Sequence, residues 1–241
     1  MHDWRIKPLD DGSGKLNIDI NPPKRDADIL DVKAYSERLN ILPFELKNGV
    51  PWFNQNDPEY QKVKYSKTNL GEAGCGVFSF ASVWNYYYGG DGVYLLPEDI
   101  ADYAIEHGIS TTQSRNAFKD LAKAYNMPEP KIMGKTVNDS IKDYYIEVNE
   151  ALDKGDLVIV NVQNEHGRPN DNSDVEKGYW TSDGHYIVVT GKTDDGKYYV
   201  VDSMDKYKSD VPISGDKLFG EGDGLPYGYI AIDFPNPNNQ K

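Results

Sequence analysis

Apolar residues fall at helical spacing through the middle of the chain and in short continuous runs through its last third. Val77, Phe78, Phe80, Ala81 and Trp84 predict a buried helix that begins at Cys75 and stops near Gly89-Gly90. Trp84-Asn85-Tyr86-Tyr87-Tyr88 reads as packing on that helix, since residues at i, i+3 and i+4 on a buried helix are core. A second helix is predicted from Pro97 through Ile105, with proline at its start and Gly108 past its end. A third, capped by Thr112, runs through Phe118, Leu121, Ala122 and Tyr125; a fourth spans about Ser140 to Asp153 and is stopped by Gly155.

The pattern then changes. Leu157 to Gln163, Gly184 to Gly191, Lys197 to Ser203 and Tyr227 to Asp233 are rich in β-branched and aromatic residues and read as strands. Thr193-Asp194-Asp195-Gly196 makes a hairpin of the second and third. Helices followed by strands indicate an α+β fold with an antiparallel sheet. Residues 1–45 are polar and turn-rich, with Asp10-Asp11-Gly12-Ser13-Gly14 and Asn21-Pro22-Pro23-Lys24, and read as an arm or small cap before one domain over 46–241.

Candidate chemistry starts from the one cysteine. Cys75 lies between Gly74 and Gly76 at a helix start, where small neighbours leave the sulfur reachable and the helix dipole favours a thiolate. A lone cysteine is more often a buried space-filler, so the rest of the pattern has to raise it above that. Of four histidines, His2 is terminal, His107 suits a helix C-terminus, and His166 lies in a polar stretch without periodicity; His185, opening a strand, is the candidate base. Antiparallel pairing across the turn brings Asp202 back beside His185. Gln55 ends the extended piece Val50 to Gln55, and its amide is a candidate donor to an oxyanion together with the Cys75 N–H.

These tracts, in the order Gln, Cys, His, Asp from about Val50 to Asp233, resemble the papain-clan cysteine peptidases grouped with the bacteriocin-processing, double-glycine-leader enzymes, in their family-thirty-nine-like branch. The resemblance implies a papain-like fold, with a helical lobe packed on an antiparallel sheet. It implies Cys75 as nucleophile, His185 as general base and acid, Asp202 as the orienting carboxylate and Gln55 as oxyanion donor. Gly74, Trp180 and Gly184 are expected to border the substrate, with Tyr179, Trp180 and Thr181 lining the cleft. The leader-processing enzymes carry their glutamine a few residues before the cysteine, where this chain has Gly71-Glu72-Ala73-Gly74, so leader cleavage is not implied.

The expected activity is therefore a thiol-dependent peptidase acting on a peptide or protein. Two alternatives remain: a transpeptidase or amide acyltransferase with the same residues, and a non-catalytic module on this scaffold that holds a peptide or cell-wall component. A net charge of −13 argues against nucleic acid or anionic lipid and suits a basic or neutral peptide. No apolar stretch approaches the roughly 20 residues of a membrane span. Asp171, Ser173, Asp174 and Glu176 lack the glycine and ligand spacing of an EF-hand loop, so neither a metal nor another cofactor is expected. With one cysteine there is no internal disulfide, and Met1-His2-Asp3-Trp4-Arg5 has no apolar signal core. The compartment stays open, with an extracellular or cell-envelope setting expected where a signal has been removed. The oligomeric state is likewise open.

Overall fold

The computed structural model describes residues 44–90, 93–134, 141–162, 180, 184–219 and 230–239. A short hairpin, β1 (Glu45–Lys47) and β2 (Val50–Trp52), is followed by a second small pair, β3 (Lys64–Tyr65) and β4 (Thr68–Asn69). Glu45 already belongs to β1, one residue ahead of the expected domain boundary; the expected arm otherwise lies almost wholly outside the described residues. Then come the one-turn helix α1 (Leu70–Ala73) and α2 (Cys75–Tyr88), followed by α3 (Pro97–Glu106), α4 (Ala117–Ala124), β5 (Lys131–Met133) and α5 (Ile141–Asp153). The chain continues through β6 (Leu157–Val162), β7 (His185–Lys192), β8 (Tyr198–Val201), α6 (Lys206–Asp210), α7 (Gly215–Phe219) and β9 (Ala231–Phe234).

Five strands form one antiparallel sheet in the order β5-β9-β6-β7-β8, which with the helices makes the fold α+β. The continuous apolar runs of β6 and β7 follow from burial on both faces. Ile159, Val188, Val201 and Ile232 face one apolar cluster with Val77, Phe80, Ala81 and Trp84 of α2. Val158, Val160, Ile187 and Val189 face a second one with Val148, Ala151 and Leu152 of α5.

Helix α2 is unusual in being buried from Gly76 through Asn85 without interruption, so it runs through the core. The asparagine and serines of its buried stretch find partners within the protein. Asn85 donates to the Ala81 and Leu95 carbonyls and accepts from the Leu95 N–H, and Ser82 donates to the Phe78 carbonyl. At its far end the Tyr87 hydroxyl accepts from the Leu157 N–H at 2.8 Å and donates to the Phe234 carbonyl at 2.9 Å, fastening the helix to β6 and β9.

The third helix begins at Ala117, later than the Thr112 cap predicts. Residues 110–116 form turns instead, because Thr111 is buried with its hydroxyl on Tyr65, 2.9 Å away, and Thr112 bonds Ser66 and Ser110. The short α1 and β5 carry too few residues for a periodic signal. Tyr227 to Tyr229, expected to open the last strand, lie outside the described residues, as does the polar stretch 164–179.

At the sheet end beside Tyr87, Asp233 pairs in register with Val158, which makes Asp156 its diagonal neighbour on the same face. Both carboxyls are buried. Burial, then the charge of Asp156, push the Asp233 carboxyl up to about 6, against the opposing pull of Lys154 and Lys131. A folded-state value above the unfolded one gives stability that is present at low pH and lost as pH rises through about 6. Asp233→Asn should therefore remove ~1–2 kcal/mol of the stability difference between about pH 5 and about pH 7.5, read as urea midpoints against the wild type. An unchanged difference would contradict this pairing.

Candidate active site

Cys75 is the first residue of α2, and the two glycines around it are required by close approach rather than by positive φ. A Cβ on Gly74 would stand 2.2 Å from the Leu70 carbonyl oxygen, and one on Gly76 would stand 2.6 Å from the Thr111 side chain. Gly74 thus lets α1 abut α2. Cys75 as a residue is half-buried. Its neighbours define its chemistry: His185 and the N–H groups of Tyr186 and Gly76 stand close enough to the thiol to favour its ionised form.

His185 opens β7 and is almost fully buried, as is Asp202 just after β8. His185 Nε2 lies 2.7 Å from Asp202 Oδ1, leaving Nδ1 as the ring nitrogen for the thiol. Strand register produces this contact. Val188 faces Val201, so Asp202 falls opposite Ile187, on the same face as His185 and diagonal to it. Nearer the turn the register differs by one residue, Gly191 facing Tyr199 and Lys192 facing Tyr198, because Thr190 is the extra residue of a β-bulge. Without that bulge Asp202 would pair with Val188 and point to the opposite face.

Asp202 is held on every side. Its Oδ1 also accepts from the Met204 N–H at 2.9 Å, its N–H donates to Ser209 Oγ at 2.9 Å, and its carbonyl accepts from Trp52 Nε1 at 2.6 Å. Gln55 is fully buried next to it. The Gln55 N–H donates to the Ser203 carbonyl at 2.9 Å, its Oε1 accepts from Ser203 Oγ at 2.7 Å, and its Nε2 donates to the Gly71 carbonyl at 2.9 Å. The structure thus joins His185 to Asp202 by a hydrogen bond with the Cys75 thiol beside the imidazole, and sets Gln55 between the Asp202-Ser203 dipeptide and the helix leading into Cys75.

The remaining candidates are placed differently. Gly184 has φ +82° and stands against Asn161, so its glycine serves the turn into β7. Trp180 was expected in the cleft; its ring is instead buried in the second apolar cluster, with its indole N–H on the Lys217 carbonyl and Lys208 over its face. A large indole finds more apolar surface there. Tyr179 and Thr181 lie outside the described residues, as do His2, His166 and the acidic run 171–176. His107 stacks on Tyr103 at 3.9 Å with Nδ1 2.9 Å from the Tyr103 carbonyl, a local packing arrangement. Trp52, Ser203 and Ser209 were missed from sequence; only the adjacency of Ser203 to Asp202 offered a signal. Among the described residues, no group of three or more His, Cys, Asp or Glu side chains is arranged to hold a metal ion, and no helix is long and apolar enough to cross a membrane.

Electrostatics act in opposite directions on the thiol and the imidazole. Burial pushes the Cys75 thiol up, but the hydrogen bond and charge of His185, with the two N–H groups, outweigh it and leave the thiol below its ordinary value. Burial pulls the His185 imidazolium down, yet the bonds to Asp202 and Cys75 and their charges raise it to about 9. The pair therefore favours thiolate with imidazolium.

The Peptidase C39-like family model matches residues 47–218, and the chain belongs to that family of papain-clan cysteine peptidases. Among solved structures, the chain is similar to a candidate C39-like peptidase from Bacillus anthracis, at 17% identity and a TM-score of 0.43 over 78% of this chain and 98% of that one. No curated protein matches it.

Alkylation of Cys75 by iodoacetamide should follow a thiolate titration with its midpoint below the ordinary value of about 8.5. In His185→Ala the midpoint should move up, because the bond and charge of His185 are lost and only the Tyr186 and Gly76 N–H groups still oppose burial. Superimposable profiles for the two proteins would refute the coupling.

Proposed function

We propose that this chain is a thiol-dependent peptidase that cleaves an amide bond through Cys75, His185 and Asp202, with Gln55 as an oxyanion donor. The observation that supports it most is the buried His185–Asp202 hydrogen bond at 2.7 Å with the Cys75 thiol beside the imidazole, which holds the thiol below its ordinary value. Family membership supports the peptidase class.

In the reaction, the Cys75 thiolate, paired with an imidazolium already protonated on Nδ1, attacks the substrate carbonyl carbon. The carbonyl oxygen becomes an oxyanion facing the Gln55 amide and the Cys75 N–H. Collapse of this intermediate breaks the C–N bond, and the imidazolium gives its proton to the leaving amine, leaving a thioester on Cys75. Water, deprotonated by His185, then attacks the thioester; the carboxylic acid leaves and the thiol is restored. Asp202 holds the ring in orientation and stabilises its charged form without taking the proton. The net charge of −13 favours a neutral or basic peptide as substrate.

Both limbs of the pH profile follow from the site. Activity should rise as the depressed thiol ionises and fall as the imidazolium loses its proton near about 9. Incubation with unfolded casein, with products read by mass spectrometry, should give cleavage by the wild type and none by Cys75→Ala, whose circular dichroism should be unchanged. With an added amine, free carboxyl termini support hydrolysis, whereas amide products would transfer the assignment to an acyltransferase. Cleavage that survives Cys75→Ala would end the thiol mechanism, as no other cysteine exists in the chain.

A further inference from the structure

We infer that Ser203 is a positioning residue for the oxyanion donor, fixing the Gln55 carboxamide so that one N–H is left to face the reacting carbonyl. The inference rests on the reading of Gln55 given under Proposed function and adds the residue that makes it work.

A glutamine amide can flip by half a turn with little change in shape, exchanging an acceptor for a donor at each end. Only the nitrogen end stabilises an oxyanion; a carbonyl oxygen in that place would repel it. The orientation of Gln55 is therefore a chemical requirement. The Gly71 carbonyl, which can only accept, decides which end carries the N–H groups, and the Ser203 hydroxyl anchors the other end against rotation. Ser203 Oγ, 2.7 Å from Gln55 Oε1, donates to it, and the Gly71 carbonyl, 2.9 Å from Nε2, accepts one of its two N–H groups. The Ser203 hydroxyl is engaged as a donor to the oxygen end, and Gly71 lies in α1, which abuts the helix of Cys75. The second Nε2 N–H has no acceptor among the described residues.

Backbone geometry reinforces the side-chain bond. The Gln55 N–H donates to the Ser203 carbonyl at 2.9 Å, so the two residues are joined twice, by main chain and by side chain. Gln55 is fully buried and Ser203 is 6% exposed, so water does not readily replace the hydroxyl. Ser203 also follows Asp202 directly. One dipeptide thus orients the imidazole through its first side chain and the carboxamide through its second, coupling the base and the oxyanion donor in space.

The test compares two reactions of the same sulfur. A p-nitrophenyl ester acylates Cys75: the thiolate adds to the carbonyl carbon, an oxyanion forms, and p-nitrophenolate departs as the thioester is made. Iodoacetamide alkylates it: sulfur displaces iodide at carbon, and no oxyanion arises. Both rates are measured for the wild type, Ser203→Ala, Ser203→Thr, Gln55→Ala and the Ser203→Ala/Gln55→Ala double variant. Gln55→Ala should lower acylation roughly 100-fold, and Ser203→Ala about 10-fold, each with alkylation within about twofold of wild type. Ser203→Thr, which keeps the hydroxyl, should recover most of the acylation rate, and the double variant should be no slower than Gln55→Ala alone.

Equal loss of both reactions in Ser203→Ala would reduce Ser203 to a structural residue and overturn the proposal. Normal acylation in Ser203→Ala, with Gln55→Ala slow, would overturn the role of Ser203 while leaving that of Gln55. Normal acylation in Gln55→Ala would remove the oxyanion role itself and this inference with it.

Discussion

Burial of helix α2 along nearly its whole length is the constraint on which the rest of the molecule depends. A helix that touches water along one side can slide or tilt at modest cost, whereas one surrounded by side chains moves only if the core moves. Ten consecutive buried residues, Gly76 to Asn85, hold α2 against the sheet, and Tyr87 bolts its C-terminal end to β6 and β9. At the other end, Ser79 donates to the Tyr186 carbonyl at 3.1 Å, one residue from His185. The sulfur at the helix tip is therefore positioned by the packing of the domain rather than by a local loop.

The sheet supplies the second half of the site by the same principle of rigid placement. His185 is a strand residue and Asp202 is one step past its neighbouring strand, so their separation is set by a hydrogen-bonded ladder. A single inserted residue, Thr190, decides which face the carboxylate occupies. The same diagonal geometry recurs at the opposite end of the sheet in Asp156 and Asp233 with the reverse electrostatic outcome, because two carboxyls replace an imidazole and a carboxylate. Position on a sheet fixes proximity; the chemistry of the two side chains then fixes whether proximity holds a proton or stabilises a charge.

Polar residues around the site are arranged as a closed set. Trp52 and Ser209 fix the Asp202 backbone, Met204 adds a donor to its carboxylate, and Ser203 reaches Gln55. Buried polar groups left without partners are costly, and a network in which each member orients the next is how such groups are kept both satisfied and directed. The β1–β2 hairpin, distant in sequence from the sheet, is tied to it through this network by Trp52 and Gln55, as well as by Asn48 on the carbonyls of Val200 and Ser209.

Periodicity and turn chemistry in the sequence locate helix α2 with Cys75 at its tip, the helices at Pro97 and near Ser140, four strands of the sheet and the hairpin joining two of them. Long, strongly patterned segments carry that information because burial selects residue type at each position. Short elements such as α1 and β5, the late start of α4, and the buried setting of Trp180 were not legible, since each depends on what lies across the chain. The sequence also singled out Cys75, His185, Asp202 and Gln55 as residue types suited to one reaction. Only the tertiary structure decided that a bulge at Thr190 turns Asp202 toward His185, and that Ser203 meets Gln55. A strand's pattern states which residues are buried but not the register of its partner, and a one-residue slip sends every side chain to the other face.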